Sequence, residues 1–92
     1  MVSWVFLVRI EWKKSAVKEA AKAPIATLLG LVEAVSRYAE NPDAAVDVKA
    51  LKGYANSFRV RKGDWRLVFT IADDALTIVR IAPRGSVYRR GV

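Results

Sequence analysis

Residues 58–81 fall into three short runs in which apolar and polar side chains alternate, a period that a helix cannot place on one face but a strand can. Phe58 and Val60 alternate with Arg59 and Arg61. Trp65, Leu67, Phe69 and Ile71 alternate with Arg66, Val68 and Thr70, and Leu76 to Ile81 is a third β-rich run. Lys62-Gly63 and Asp73-Asp74 are the two-residue turn candidates between the runs. Pro83 ends the third run, because it has no N–H to give to a ladder.

The first half of the chain reads differently. Val2, Trp4, Phe6, Val8 and Ile10 share one parity, which predicts an opening strand. From Lys13 the period becomes helical, with Ala16, Val17, Ala20 and Ala21 on one stripe. Pro24 ends that helix or starts the next, since it fits a first turn and disfavours helix at Ala23. Ile25, Leu28, Leu29, Val32, Val35 and Ala39 then recur at i, i+3, i+4 and i+7, an amphipathic helix of about four turns. Asn41-Pro42-Asp43 stops it, and residues 43–56 read as a loop with a short helical turn.

The expected order is β-α-α-β-β-β. This is an α+β fold with a helical hairpin packed on one face of an antiparallel sheet, and residues 1–92 form one domain. With 53% hydrophobic residues the chain is a globular one.

Register sets where the charge goes. A hairpin closed on Lys62-Gly63 puts Val60 opposite Trp65, Phe58 opposite Leu67 and Arg59 opposite Arg66. A pairing shifted by one would mix apolar and charged faces, so the alternation selects against it. Arg59, Arg61 and Arg66 are then expected on the face opposite Phe58, Val60, Trp65 and Leu67. Like charges across a ladder destabilise it, so three guanidinium groups on one hairpin face imply an anion to receive them. Taken singly, each could instead lie along apolar surface with its head in water.

The whole-chain charge supports the anionic partner. Residues 1–48 carry six basic and six acidic side chains, whereas residues 49–92 carry ten basic against three acidic, so the entire net charge of +7 belongs to the second half. The chain has no cysteine and no histidine. That excludes thiol nucleophiles, Ser–His and Cys–His pairs, histidine general bases and zinc fingers. The apolar opening Val2–Val8 is too short for a signal-peptide core with a cleavage site or for a membrane span. A cytoplasmic protein with no membrane partner is expected.

Three stretches together resemble a known family: LKG at Leu51–Gly53, FRVRKGDWRLVF at Phe58–Phe69, and IAPRGSVYR at Ile81–Arg89. They are similar to the signature of RelE/ParE superfamily toxins of type II toxin–antitoxin pairs. The resemblance is closest to the RelE branch, whose members cleave mRNA in the ribosomal A site and are neutralised by an antitoxin. It implies a cognate acidic, RelB-like antitoxin, with the ribosome and mRNA as further partners, and no metal or small-molecule cofactor. Arg59 and Arg61 match the residues that grip the RNA backbone. Arg66 matches the arginine near the scissile phosphate, Arg84 the arginine after the last strand, and Tyr88 the C-terminal tyrosine. Lys52, Lys62 and Arg89 complete the expected RNA-binding set. Two positions depart from the family pattern. Arg59 and Arg61 stand where the best-known RelE enzymes have lysines, and Pro83 stands where a histidine is often found.

The chemistry implied is limited to what these groups can do. RNA carries its own nucleophile, the 2′-hydroxyl, so the protein need only align it and stabilise developing charge. Arg66 and Arg84 suit the dianionic transition state, because a guanidinium donates in a planar fork and keeps its charge. Arginine cannot serve as a base. Tyr88, a phenol that nearby arginines make more acidic, is the candidate base or a platform for stacking. Two rival readings share the sequence features: a ParE-like toxin acting on DNA gyrase, and an inactive RNA- or ribosome-binding module.

Overall fold

The computed structural model describes residues 9–44 and 47–83. Among them a five-stranded sheet carries two helices on one face. In chain order the elements are β1 (Arg9–Trp12), α1 (Lys14–Ala20), α2 (Ile25–Glu40), β2 (Val48–Ala50), β3 (Ser57–Lys62), β4 (Trp65–Ala72) and β5 (Ala75–Pro83). A 3₁₀ turn at Pro42–Ala44 follows α2. The expected α+β arrangement of a helical pair on a sheet is the one observed.

The spatial order is β1-β5-β4-β3-β2. Strands β2 to β5 pair antiparallel, as expected for β3 to β5, but β1 runs parallel to β5, so the sheet is mixed. A parallel partner needs a crossover rather than a hairpin, and α1, α2 and the strands that follow supply it. The region expected as a loop contains β2, which pairs with the outer edge of β3 through Val48↔Val60 and Ala50↔Phe58. Three residues give too short a period-two signal to stand out in sequence. Only the end of the opening strand falls within the described residues. There Ile10 pairs with Leu76 and is 40% exposed.

The core lies between the helices and one sheet face. Leu31 and Val35 of α2 and Ala16 and Ala20 of α1 meet Val60, Leu67, Phe69, Leu76, Ile78 and Ile81 of the sheet. Tyr38, Phe58 and Phe69 form a ring cluster with centroids 5.3–5.5 Å apart, the spacing of favourable tilted and offset aromatic pairs. Helix α2 buries an arc rotated from the one its sequence predicts. Leu28, Leu31, Val35, Tyr38 and Ala39 face the core, whereas Ile25 and Leu29 are 69% and 62% exposed. Val17 of α1 is likewise exposed. The small side chains Ala16 and Ala20 bring α1 down onto β5, and Pro24, the N-cap of α2, starts the second helix.

The first hairpin turns one residue later than expected. Its central residues are Gly63 and Asp64, and Gly63 adopts φ +57°, which a type II′ turn requires at its first position. The pairs are therefore Val60↔Leu67, Phe58↔Phe69 and Arg61↔Arg66, rather than Val60 with Trp65, Phe58 with Leu67 and Arg59 with Arg66. Every partner moves by two, so the faces are unchanged. Lys62 becomes the partner of Trp65. Its stem crosses Gly30 of α2, where a Cβ would lie 3.1 Å from Lys62 Cε, and its Nζ sits 3.9 Å from Asp47 Oδ2.

Candidate nucleic-acid interface

The sheet face away from the helices is built in cross-strand rows. One row runs Lys49, Arg59, Val68, Arg80 across β2 to β5, and its neighbour runs Arg61, Arg66, Ala82 across β3 to β5. Five cationic side chains thus share one face, as alternation predicts for Arg59, Arg61 and Arg66. Arg61 is exposed, Arg59 is half-buried, and Arg66 is only 9% exposed. The apolar bed is a second, small cluster of Val68 and Ala82, with Leu51 and Val79 packed against it.

Arg80 reaches this face through a β-bulge. Val68 pairs with Arg80 but Phe69 pairs with Ile78, leaving Val79 as an extra residue in β5. Simple alternation from Leu76 and Ile78 would send Arg80 into the core. The bulge reverses parity there, so Ile81 is buried instead and Arg80 stands beside Val68. Glu19 of α1 holds this arrangement. The last β1 pair is Trp12↔Ile78, after which α1 runs beside the end of β5. Glu19 Oε1 accepts the Ile81 N–H at 2.8 Å, satisfying an amide that β1 no longer reaches, and Oε2 accepts from Arg80 Nε at 3.0 Å.

Arg59, Arg61 and Arg66 are brought together. Lys52 is exposed in the loop between β2 and β3. Lys62, the other lysine of the expected RNA-binding set, does not join them: its parity puts it on the helix side, over Gly30 and beside Asp47. Arg84, Tyr88 and Arg89 lie outside the described residues. Lys49, Arg80 and Glu19 are additions that alternation alone did not single out. For Arg80 the signal was present in LTIVRIA at 76–82, where the apolar parity switches from Leu76 and Ile78 to Ile81, the mark of a bulge.

A groove of about 470 Å³ opens on the same face, beside the Lys49–Arg80 row. Leu51, Tyr54, Val68 and Val79 line it with the Glu19–Arg80 pair. The face can therefore hold an extended polyanion along its arginines and an apolar or planar group beside them.

Comparison with known proteins places this geometry. Residues 10–88 match the family described as the ParE toxin of type II toxin-antitoxin system, parDE. The chain belongs to the ParE toxin family. It is a RelE/ParE superfamily toxin, and its relatives carry the RelE name. Toxin RelE3 of Methanocaldococcus jannaschii is 35% identical over 46 residues, covering 50% of this chain, and the chain spans about half (52%) of that relative's length. Among solved structures, the archaeal RelE-RelB complex from Pyrococcus horikoshii OT3 contains a chain 26% identical, with a TM-score of 0.68 over 87% of this chain and 98% of that one. The RelBE2 toxin-antitoxin complex from Mycobacterium tuberculosis gives 25% identity and a TM-score of 0.65, covering 84% and 98%. The isolated RelE toxin of E. coli shares the fold, with a TM-score of 0.72 over 88% of both chains at 15% identity.

Proposed function

We propose that this toxin is a metal-independent endoribonuclease that cleaves mRNA on the ribosome, in the cytoplasm, and is neutralised by an acidic, RelB-like antitoxin. The observation that carries this reading is the paired rows of cations on one sheet face, with Arg61 directly opposite Arg66. Lys49 and Arg61 are exposed and Arg59 is half-buried along these rows, and an RNA backbone is a polyanion that such a basic face fits. Two RelE toxins of similar fold, solved in complex with their antitoxins, support the antitoxin partner.

In the proposed reaction, Arg59 and Arg61 hold phosphates on either side of the scissile bond. The 2′-oxygen forms a bond to phosphorus as the bond to the 5′-oxygen breaks, leaving a 2′,3′-cyclic phosphate and a 5′-hydroxyl. Tyr88, as its phenolate, takes the 2′-hydroxyl proton and becomes the neutral phenol, and the departing 5′-oxygen acquires a proton from water or from that phenol. Arg66 and Arg84 donate to the equatorial oxygens, where charge develops. Most of Arg66 is shielded from water, which strengthens such a contact.

A cell-free translation reaction tests this directly. Adding the toxin should produce new mRNA 5′ ends bearing hydroxyls, only when ribosomes are present and not when the antitoxin is added. The description of the matched family as ParE favours one second reading, inhibition of DNA gyrase. Intact mRNA together with lost gyrase supercoiling would put that reading first.

A further inference from the structure

The cleavage chemistry proposed above leaves the outer-face groove unused. At about 470 Å³ it falls within the size range of sites that enclose a small ligand. Val68 and Val79 form its apolar bed, and the Glu19–Arg80 pair borders it. Ser57 and Thr70, direct partners across β3 and β4, bring two hydroxyls to it. Tyr54 adds an aromatic ring that is 51% exposed. Its loop is held in shape: the Tyr54 N–H donates to Leu51 O, the Ser57 N–H donates to Tyr54 O, and Gly53 turns the chain at φ +83°.

Two features select the occupant. The first is position. Val68 stands between Arg59 and Arg80 in one cross-strand row, so the groove begins about 5 Å, one strand spacing, from the arginine that would hold a phosphate. The second is chemistry. An aromatic ring, a guanidinium held in place by a carboxylate, and hydroxyls along one side are the groups that receive an unstacked base: a planar surface to stack on and partners for its polar edge. An apolar peptide side chain would cover the same hydroxyls and the ion pair without replacing their contacts with water, which is unfavourable.

We propose that this groove is a subsite for one unpaired nucleobase of an RNA strand whose phosphates run over Arg59 and Arg61, and that it confers a base preference. The proposal rests on the RNA-directed reading above and deepens it. The test uses the full-length toxin and a fluorescein-labelled eight-nucleotide RNA, with a single abasic nucleotide moved along the strand. One abasic position should weaken binding about tenfold, while the others change it little. Tyr54→Phe should keep that profile, and Tyr54→Ala should flatten it while leaving the salt dependence of binding unchanged. Salt-dependent binding with equal affinity for every abasic strand would overturn the subsite and leave the RNA reading standing. No RNA binding even at low salt would overturn both. If Tyr54→Ala leaves the RNA profile intact but weakens binding of an antitoxin peptide, the groove belongs to a protein partner and the proposal is wrong.

Discussion

Glu19 and Arg80 lie 61 residues apart in the chain and meet at 3.0 Å, and the same carboxylate holds the Ile81 amide one residue further on. One side chain of a seven-residue helix thereby fixes the parity of the last strand and the direction of a cation on the opposite sheet face.

Removing that carboxylate should loosen the bulge. Glu19→Ala leaves the Ile81 N–H without its acceptor and is expected to lower folding stability by about 1–2 kcal/mol in urea denaturation. Glu19→Gln keeps an acceptor oxygen and should recover part of the loss. Equal stability of all three proteins would mean that the bulge holds without Glu19.

Arg61 and Arg66 stand directly opposite one another in the β3–β4 ladder, two like charges on one face. Arg61 is exposed, so Arg61→Gln removes repulsion without touching the core. Stability should rise by about 0.2–0.5 kcal/mol, and the gain should shrink at high salt as screening replaces the substitution. RNA affinity should fall at the same time. A variant both less stable and unaltered in RNA binding would assign the pair a structural role instead.

Salt dependence measures how many of the five face cations contact phosphate. With single-stranded RNA and about five contacts, affinity should fall about 100-fold between 50 and 200 mM salt. Arg59→Ala should make the slope shallower by about 0.7 in log–log units. Filter binding over that range checks both, and an affinity flat in salt would remove the arginine face as the binding determinant.

Packing predictions separate the two sides of α2. Leu31 is fully buried, so Leu31→Ala should cost about 2–5 kcal/mol, and Phe69→Ala, in the ring cluster, about 3–5 kcal/mol. Leu29→Ala, on the exposed side, should change stability by less than about 0.5 kcal/mol. Chemical denaturation of the three variants reads the difference. A large effect at Leu29 in the isolated toxin would contradict the observed helix rotation.

Alternation over 58–71 was enough to put Arg59, Arg61 and Arg66 on one face. Strand parity is a property of the chain itself, and moving a two-residue turn by one position shifts every partner by two, which preserves that parity. The same local periods located both helices and their break at Pro24. What local pattern could not decide were contacts between distant segments. Which arginine faces Arg66 depends on the positive φ of Gly63 and on the Lys62 stem lying across Gly30. Which apolar stripe of α2 is buried depends on the strands beneath it: Leu31 fills the core, while Ile25 and Leu29, equally apolar, remain outside. Arg80 is the sharpest case. Its own strand pattern points it inward, and a carboxylate from α1 with a bulge at Val79 turns it out, because an amide at the open edge of β5 needed an acceptor and the neighbouring helix supplied one.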